Sequence, residues 1–139
     1  MNVLVDTSVW SLALRRRRLT EAPETSEHAE LVREGRVSLL GHVRQELLSG
    51  ITDEKQYTVL RDHLRAFPDV DLDPGDYEEA ATFFNRCRAR GVQGSNTDFL
   101  LCAAAARRQL SILTTDADFL HFAKLLPIRL HAPRAPLAG

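Results

Sequence analysis

The chain has 139 residues, 44% of them hydrophobic and 27% charged, with a formal net charge of -1 at pH 7. This composition predicts one soluble domain with a single core, and it excludes both a disordered chain and a protein that attracts polyanions over its whole surface. No apolar run approaches the roughly 18 residues that span a bilayer, so we expect no membrane partner and a cytoplasmic location.

The first half of the chain alternates short apolar runs with amphipathic stretches, a pattern typical of strands followed by helices. The predicted elements are, in order, a strand at 3–5, a helix after Asp6, a loop to about residue 26, a helix at 27–34 stopped by Gly35, a strand at 37–40, a helix through Val43, Leu47 and Ile51, and a helix at 54–66.

The second half continues the alternation and adds clear turn signals. Its predicted elements are a strand at 70–72, a capping turn at 73–76 for a helix to about residue 90, a polar loop at 91–97 that follows a helix end at Gly91, a helix at 98–108, a strand at 110–113, a helix holding Phe119 and Phe122, and a strand at 128–130.

Short apolar strands that alternate with helices predict an α/β fold with a parallel sheet covered on both faces. One domain is expected over residues 1–131, followed by a mobile proline-containing tail over 132–139. Cys87 and Cys102 form no C-x-x-C motif and lie in apolar helical sequence, so they are expected to be reduced core residues.

Four acidic residues, far apart in sequence, are candidates for one site. Asp6 and Asp116 follow predicted strands, at the sheet edge where open parallel sheets place their ligand crevice. Asp98 begins a helix and Glu46 lies on another, so both can project toward the same edge. Carboxylates crowded together repel each other unless a cation is present, and Mg2+ or Mn2+ prefers such oxygen ligands. A metal-dependent phosphodiesterase site is one interpretation.

Each acid also has a purely structural explanation. Asp is favoured at helix N-caps and in first helical turns, which would account for Asp6, Asp98 and Asp116, and an isolated Glu46 is most simply a solvated residue. Only the joint position of the four at one edge favours a function. The chain has no G-x-S-x-G or Walker A sequence, so serine-hydrolase and P-loop chemistry lack their required parts.

Four motifs in this order resemble the PIN domain of VapC-type toxins, and together they span nearly the whole chain. They are Val-Asp-Thr-Ser-Val-Trp at 5–10, Gln-Glu-Leu at 45–47, Gly-Ser-Asn-Thr-Asp-Phe-Leu-Leu-Cys-Ala-Ala-Ala at 94–105 and Leu-Thr-Thr-Asp-Ala-Asp-Phe at 113–119. The resemblance implies a three-layer α/β/α sandwich with a parallel sheet of four to five strands.

The resemblance also implies an Mg2+- or Mn2+-dependent endoribonuclease, the toxin of a type II toxin–antitoxin pair. Asp6, Glu46, Asp98 and Asp116 match the family's catalytic acids, with Asp6, Asp98 and Asp116 as metal ligands. The implied partners are an RNA substrate, a VapB-type antitoxin and a second copy in a homodimer. Further residues are expected to assist: Asp118 as a fifth acid, with Thr7, Ser8, Asn96 and Thr115 orienting carboxylates or water.

Several other groups receive weaker interpretations. The run Arg15 to Arg18 fits either contacts to RNA phosphates or a solvated loop. The helix-end arginines Arg86, Arg88, Arg90, Arg107 and Arg108 are explained by the helix dipole. His42 lies four residues before Glu46, but the histidines show no other ligand spacing, so zinc is not expected. Trp10, Phe83 and Phe84 are interpreted as core or dimer contacts.

Two rival functions stay open. An aspartyl-phosphate phosphatase or receiver domain would use Asp6 as its nucleophile, although Ser8 stands where such a phosphatase has a second Asp. A non-catalytic RNA- or protein-binding module would use the acids only as caps. A requirement for a divalent metal separates both rivals from the nuclease.

Overall fold

A computed structural model describes residues 1–14 and 22–134, and in these ranges the fold is α/β, as predicted. The strands are β1 Val3–Val5, β2 Val37–Ser38, β3 Ser111–Leu113 and β4 Arg129–Leu130. The helices are α1 Thr7–Leu14, α2 Pro23–Arg33, α3 Gly41–Leu48, α4 Glu54–Leu64, α5 Pro74–Ala89, α6 Asn96–Arg108 and α7 Asp118–Leu125.

The four described strands form one parallel sheet in the order β2-β1-β3-β4. β1 is central, with Val3 opposite Val37 of β2 and Ser111 of β3. The chain leaves β1 toward β2 on one side and later returns to place β3 on the other side. In open parallel sheets a ligand crevice forms where the strand order reverses in this way, so the topology places it between the carboxyl ends of β1 and β3.

Helices cover the sheet and complete a three-layer α/β/α sandwich. Helices α1 to α4 pack as one group, and α5 to α7 pack as another against β3 and β4. All three residues of β1 are fully buried, as expected for a strand with helices on both faces. The small side chains Ala103, Ala104 and Ala105 are also fully buried, which lets α6 lie close to its neighbours.

Three predicted elements differ from the structure by more than two residues. The helix expected to run through Val43, Leu47 and Ile51 ends as α3 at Leu48, so Ile51 lies outside it. Helix α2 begins at Pro23 rather than at residue 27, because proline lacks the N–H that a first helical turn leaves unpaired. The strand predicted at 70–72 is wrong, because the only parallel bridge nearby is a single one between Leu39 and Asp69, just before the predicted segment. The Val70 amide donates to the Leu39 carbonyl, and no ladder forms over 70–72.

Other features of the sequence follow the prediction. Gly35 and Gly91 have φ of +68° and +75°, which suits glycine at a helix end. Cys87 and Cys102 are free and buried, and burial raises the pKa of both thiols. Across the described ranges, no helix is long and apolar enough to cross a membrane. The run Arg15 to Arg18 lies outside the described residues.

Candidate active site

Asp6 follows β1 and is 7% exposed. Its backbone carbonyl accepts hydrogen bonds from the amides of Val9 and Trp10 at the start of α1. Its carboxylate Oδ2 accepts hydrogen bonds from Ser8 Oγ at 2.7 Å and Thr114 Oγ1 at 2.9 Å. No described residue donates a hydrogen bond to Oδ1. One oxygen therefore fixes the side chain, and the other keeps its capacity to bind a ligand.

Asp116 follows β3, the strand beside β1. Its amide donates to Thr114 Oγ1 at 3.0 Å, and its Oδ1 accepts from the Asp118 amide at 2.9 Å. The Thr115 amide donates to Ser8 Oγ at 3.0 Å. These hydrogen bonds join the ends of β1 and β3, so Asp6 and Asp116 lie at the crevice that the topology predicts.

Asp98 is the third residue of α6 and forms a capping box with Ser95. The Ser95 amide donates to Asp98 Oδ2 at 3.1 Å, and the Asp98 amide donates to Ser95 Oγ at 3.1 Å. The pKa of Asp98 is raised, chiefly because burial disfavours its charged form, and the negative charges of Asp6 and Asp116 raise it further. The hydrogen bonds from Ser95 act in the opposite direction. These three acids therefore interact electrostatically at one rim.

Glu46 reaches the site indirectly. It is exposed on α3, and its Oε1 accepts a hydrogen bond from Thr7 Oγ1 at 2.8 Å. Because Thr7 follows Asp6 in the chain, this bond holds Glu46 beside the first acid. The structure thus places Asp6 and Asp116 close enough to Asp98 for their charges to raise its pKa, and it holds Glu46 beside Asp6 through Thr7.

The acids form an oxygen-only donor set. Within residues 1–14 and 22–134, no group of three or more His, Cys, Asp or Glu side chains is arranged ready to hold a metal ion. Each of the four carboxylates nevertheless receives hydrogen bonds from described residues at one oxygen only. The raised pKa of Asp98 and the carboxylate oxygens that accept no hydrogen bond from described residues fit a hard divalent cation, which prefers carboxylate ligands.

Thr114 is the residue at this site that sequence reasoning missed. Its hydroxyl bridges Asp6 and the Asp116 backbone, whereas Thr115 contributes its backbone amide instead of its side chain. The available signal was the position of Thr114 directly after a buried strand and two residues before an Asp. Asn96, expected to orient a carboxylate, makes no hydrogen bond to any of the four acids.

Arg107 and Arg108 make specific ion pairs in addition to any dipole interaction. Arg108 donates to Asp76 Oδ1 and Oδ2 at 2.6 and 2.8 Å, and Arg107 donates to Asp73 at 2.7 Å. Asp76 is fully buried, and the guanidinium of Arg108 holds its pKa well below the usual range despite that burial. This cluster joins α5 to α6 and so supports the helix that carries Asp98.

The aromatic residues behave as the sequence indicated. Trp10 and Phe83 are 0% and 2% exposed, so they belong to the core, and Phe84 is half-buried with its ring against Phe99. Trp10 and Phe83 are therefore not available as a stacking platform on the surface.

A parallel sheet with acids at its switch point defines a class of α/β proteins, and the PIN domain family model matches residues 3–125. The chain belongs to the PIN-domain family. A VapC ribonuclease of Mycobacterium bovis and ribonuclease VapC11 of Mycobacterium tuberculosis are each 30% identical to it in an alignment of 123 residues that covers 84% of this chain and 88% of those proteins.

Solved structures share the fold. The DNA-bound VapBC structure from Salmonella typhimurium superposes with a TM-score of 0.75 at 15% identity, covering 94% of this chain and 97% of that one. FitAcB from Neisseria gonorrhoeae gives a TM-score of 0.70 at 19% identity, with 94% and 97% covered.

Proposed function

We propose that this chain is an Mg2+- or Mn2+-dependent endoribonuclease and the toxin of a type II toxin–antitoxin pair. The observation that carries the proposal is the convergence of Asp6, Asp98 and Asp116 at the switch point of the sheet, where burial and the charges of the other two acids raise the pKa of Asp98. Carboxylates kept together at a cost in stability suit a cation-binding site better than three independent helix caps. The family and its 30% identical relatives, named as ribonucleases, support the choice of RNA.

In this proposal Asp6, Asp98 and Asp116 hold the divalent ion, and all four acids are catalytic. When bound, the ion would activate water and neutralise charge on the phosphate. Ser8 and Thr114 fix Asp6 through Oδ2, so Oδ1 would be available to hold the ion. Thr7 fixes Glu46 through Oε1 and leaves Oε2 to accept a proton from the attacking water.

The partners follow from the relatives. Several solved structures of the same fold are VapBC complexes, two of them described with DNA. We infer that this chain binds a VapB-type antitoxin, and that it acts as a homodimer on RNA. In this setting, binding of the antitoxin would keep the acidic crevice inactive.

The test is RNA cleavage by the purified chain with Mg2+ or Mn2+ and with excess chelator. Asp98→Asn keeps the shape of the side chain and its capping oxygen but removes the charge, so we expect at least a hundredfold loss of cleavage. Asp71→Asn, an exposed Asp on the connection before α5, is the matched control and should retain activity. Cleavage that persists in chelator, or in Asp98→Asn, would contradict the proposal.

A further inference from the structure

A cavity of about 330 Å³ lies beside the acidic crevice. It lies between three helices and is open on one side, and its lining includes His42 of α3, Tyr77 and Asn85 of α5, and Asn96 and Thr97 of α6. This volume is at the lower end of the range typical for small-ligand pockets. The cavity therefore suits one planar group better than a whole nucleotide chain.

The position of the cavity links it to the four acids. Asn96 and Thr97 immediately precede Asp98 on α6, and His42 is one helical turn before Glu46 on α3. The helices that carry two of the acids thus also form two walls of the cavity. A molecule held at the acids would have its neighbouring groups at the mouth of this cavity.

The polar side chains of the cavity are unused by the fold. Those of His42, Tyr77, Asn85, Asn96 and Thr97 make no hydrogen bond to any other described residue. By contrast, the hydroxyls of Thr7, Ser8 and Thr114 beside the acids all make hydrogen bonds. An amide side chain offers both donors and an acceptor, so two of them can match the edge of a planar polar ring.

The remaining walls are apolar and uncharged. Ala80, Phe84 and Leu100 supply hydrophobic surface, and the rings of His42 and Tyr77 lie edge to face with centroids 6.3 Å apart. No Lys, Arg, Asp or Glu lines the cavity. This lining does not suit a phosphate or a carboxylate, which would require a compensating charge.

We propose that this cavity, the base pocket, holds one unpaired nucleobase adjacent to the phosphate that is cut. Proteins recognise single-stranded RNA by holding splayed bases against aromatic side chains and by hydrogen bonding to their edges. Asn85 and Asn96 contact the base edge, Phe84 and Tyr77 contact its rings, and the pocket sets the sequence preference of cleavage. The inference rests on the proposed ribonuclease function and names the part of the substrate that the chain reads.

The test compares cut-site preference between variants on a randomised single-stranded RNA pool, with product ends sequenced. Ala81→Trp places a bulky side chain at the exposed rim of the pocket, and Asn85→Ala removes one amide. We expect base preference at one position beside the cut to fall at least tenfold in Ala81→Trp and to relax in Asn85→Ala. Ala89→Trp, at an exposed alanine on the same helix outside the pocket, should keep the wild-type preference.

A second measurement does not depend on cleavage. In a titration with four homopolymeric RNA hexamers, the side-chain amide NMR signals of Asn85 and Asn96 should shift with at least one hexamer. A wild-type chain that cuts no RNA contradicts the proposed function, and the amide signals then decide the pocket alone. Wild-type cleavage with the same preference in both pocket variants overturns the pocket. It is also overturned if Ala81→Trp changes only the oligomeric state in sedimentation, because the cavity would then belong to an interface between copies.

Discussion

Asp6 divides its two carboxylate oxygens between structure and the crevice. Oδ2 accepts hydrogen bonds from Ser8 and Thr114, while Oδ1 receives none from the described residues. A capping role and a ligand role therefore do not compete at this residue. The same division holds at Asp98, where Ser95 occupies Oδ2, so the proposed ligand role is compatible with helix capping.

His28 is a residue whose protonation should limit stability. It is 6% exposed and packs edge-on against Trp10 with ring centroids 4.5 Å apart, and its Nε2 has no hydrogen-bond partner among the described residues. Burial lowers the pKa of His28 from 6.5 to about 4, helped by the charge of nearby His63. Because the unfolded chain binds this proton more readily, stability is lost as pH falls from about 6.5 toward 4.

We therefore predict that His28→Phe weakens the dependence of unfolding on acid. Between pH 7 and pH 5 the wild type should lose about 2 kcal/mol through this residue, and His28→Phe should not show that part of the loss. Urea unfolding at the two pH values measures it. His121→Phe, at an exposed histidine on α7, is the control and should match the wild type. An equal pH dependence in wild type and His28→Phe would contradict the prediction.

The loop before α6 packs closely against two aromatic rings because residue 94 is a glycine. A Cβ at Gly94 would lie 2.6 Å from Phe122 Cζ and 3.0 Å from Phe99 Cε2. Both rings are almost fully buried and have little room to move. The close approach of this loop to the aromatic rings sets where α6 begins and hence where Asp98 lies.

Gly94→Ala should therefore destabilise the protein by about 1–3 kcal/mol, the usual cost of overpacking a core. It should also reduce RNA cleavage, because the start of α6 must shift. Chemical unfolding and cleavage rate are the two measurements. Gly41→Ala is the control, since its Cβ would meet only Asp69 Oδ2 at an ordinary 3.7 Å. Equal stability of the Gly94 variant and wild type would show that the loop relaxes freely.

At the scale of helices and strands, the sequence correctly predicted features that form between residues close together in the chain. The capping boxes at Asp73 and Ser95 lie in the predicted turn and polar loop, since side chain and backbone within four residues form them. The strand predicted at 70–72 failed because pairing depends on a partner elsewhere in the chain, and Leu39 bridges Asp69 without extending a ladder into the segment. An apolar sequence pattern alone does not determine whether a segment pairs with a strand elsewhere in the chain.

For the molecule as a whole, alternating strands and helices predicted the sheet edge at which the acids meet. The hydrogen bonds that hold them were beyond the sequence, because Thr114 to Asp6 and Thr7 to Glu46 join positions 108 and 39 residues apart. The Arg108–Asp76 ion pair and the base pocket also bring together residues that are far apart in the chain. Such contacts depend on how helices pack, which no local pattern encodes.

The acidic crevice should make the whole molecule less stable until a cation binds. A raised pKa means that ionised Asp98 is disfavoured in the folded state, so its contribution to stability is lost as pH rises through the folded pKa. We predict that, in chelator at pH 7, Asp98→Asn raises the free energy of unfolding by less than about 1 kcal/mol, since solvent screens a partly exposed site.

Divalent ions should make wild type more stable than Asp98→Asn, the reverse of the order in chelator, because a ligand that binds only the folded chain stabilises it. Wild type should gain thermal stability with increasing Mg2+ or Mn2+, whereas Asp98→Asn, lacking one ligand charge, should gain much less. Thermal unfolding with and without chelator measures both effects, and Asp71→Asn should follow the wild type in each. If Asp98→Asn were less stable than wild type in chelator and both responded equally to the ions, Asp98 would be only a helix cap.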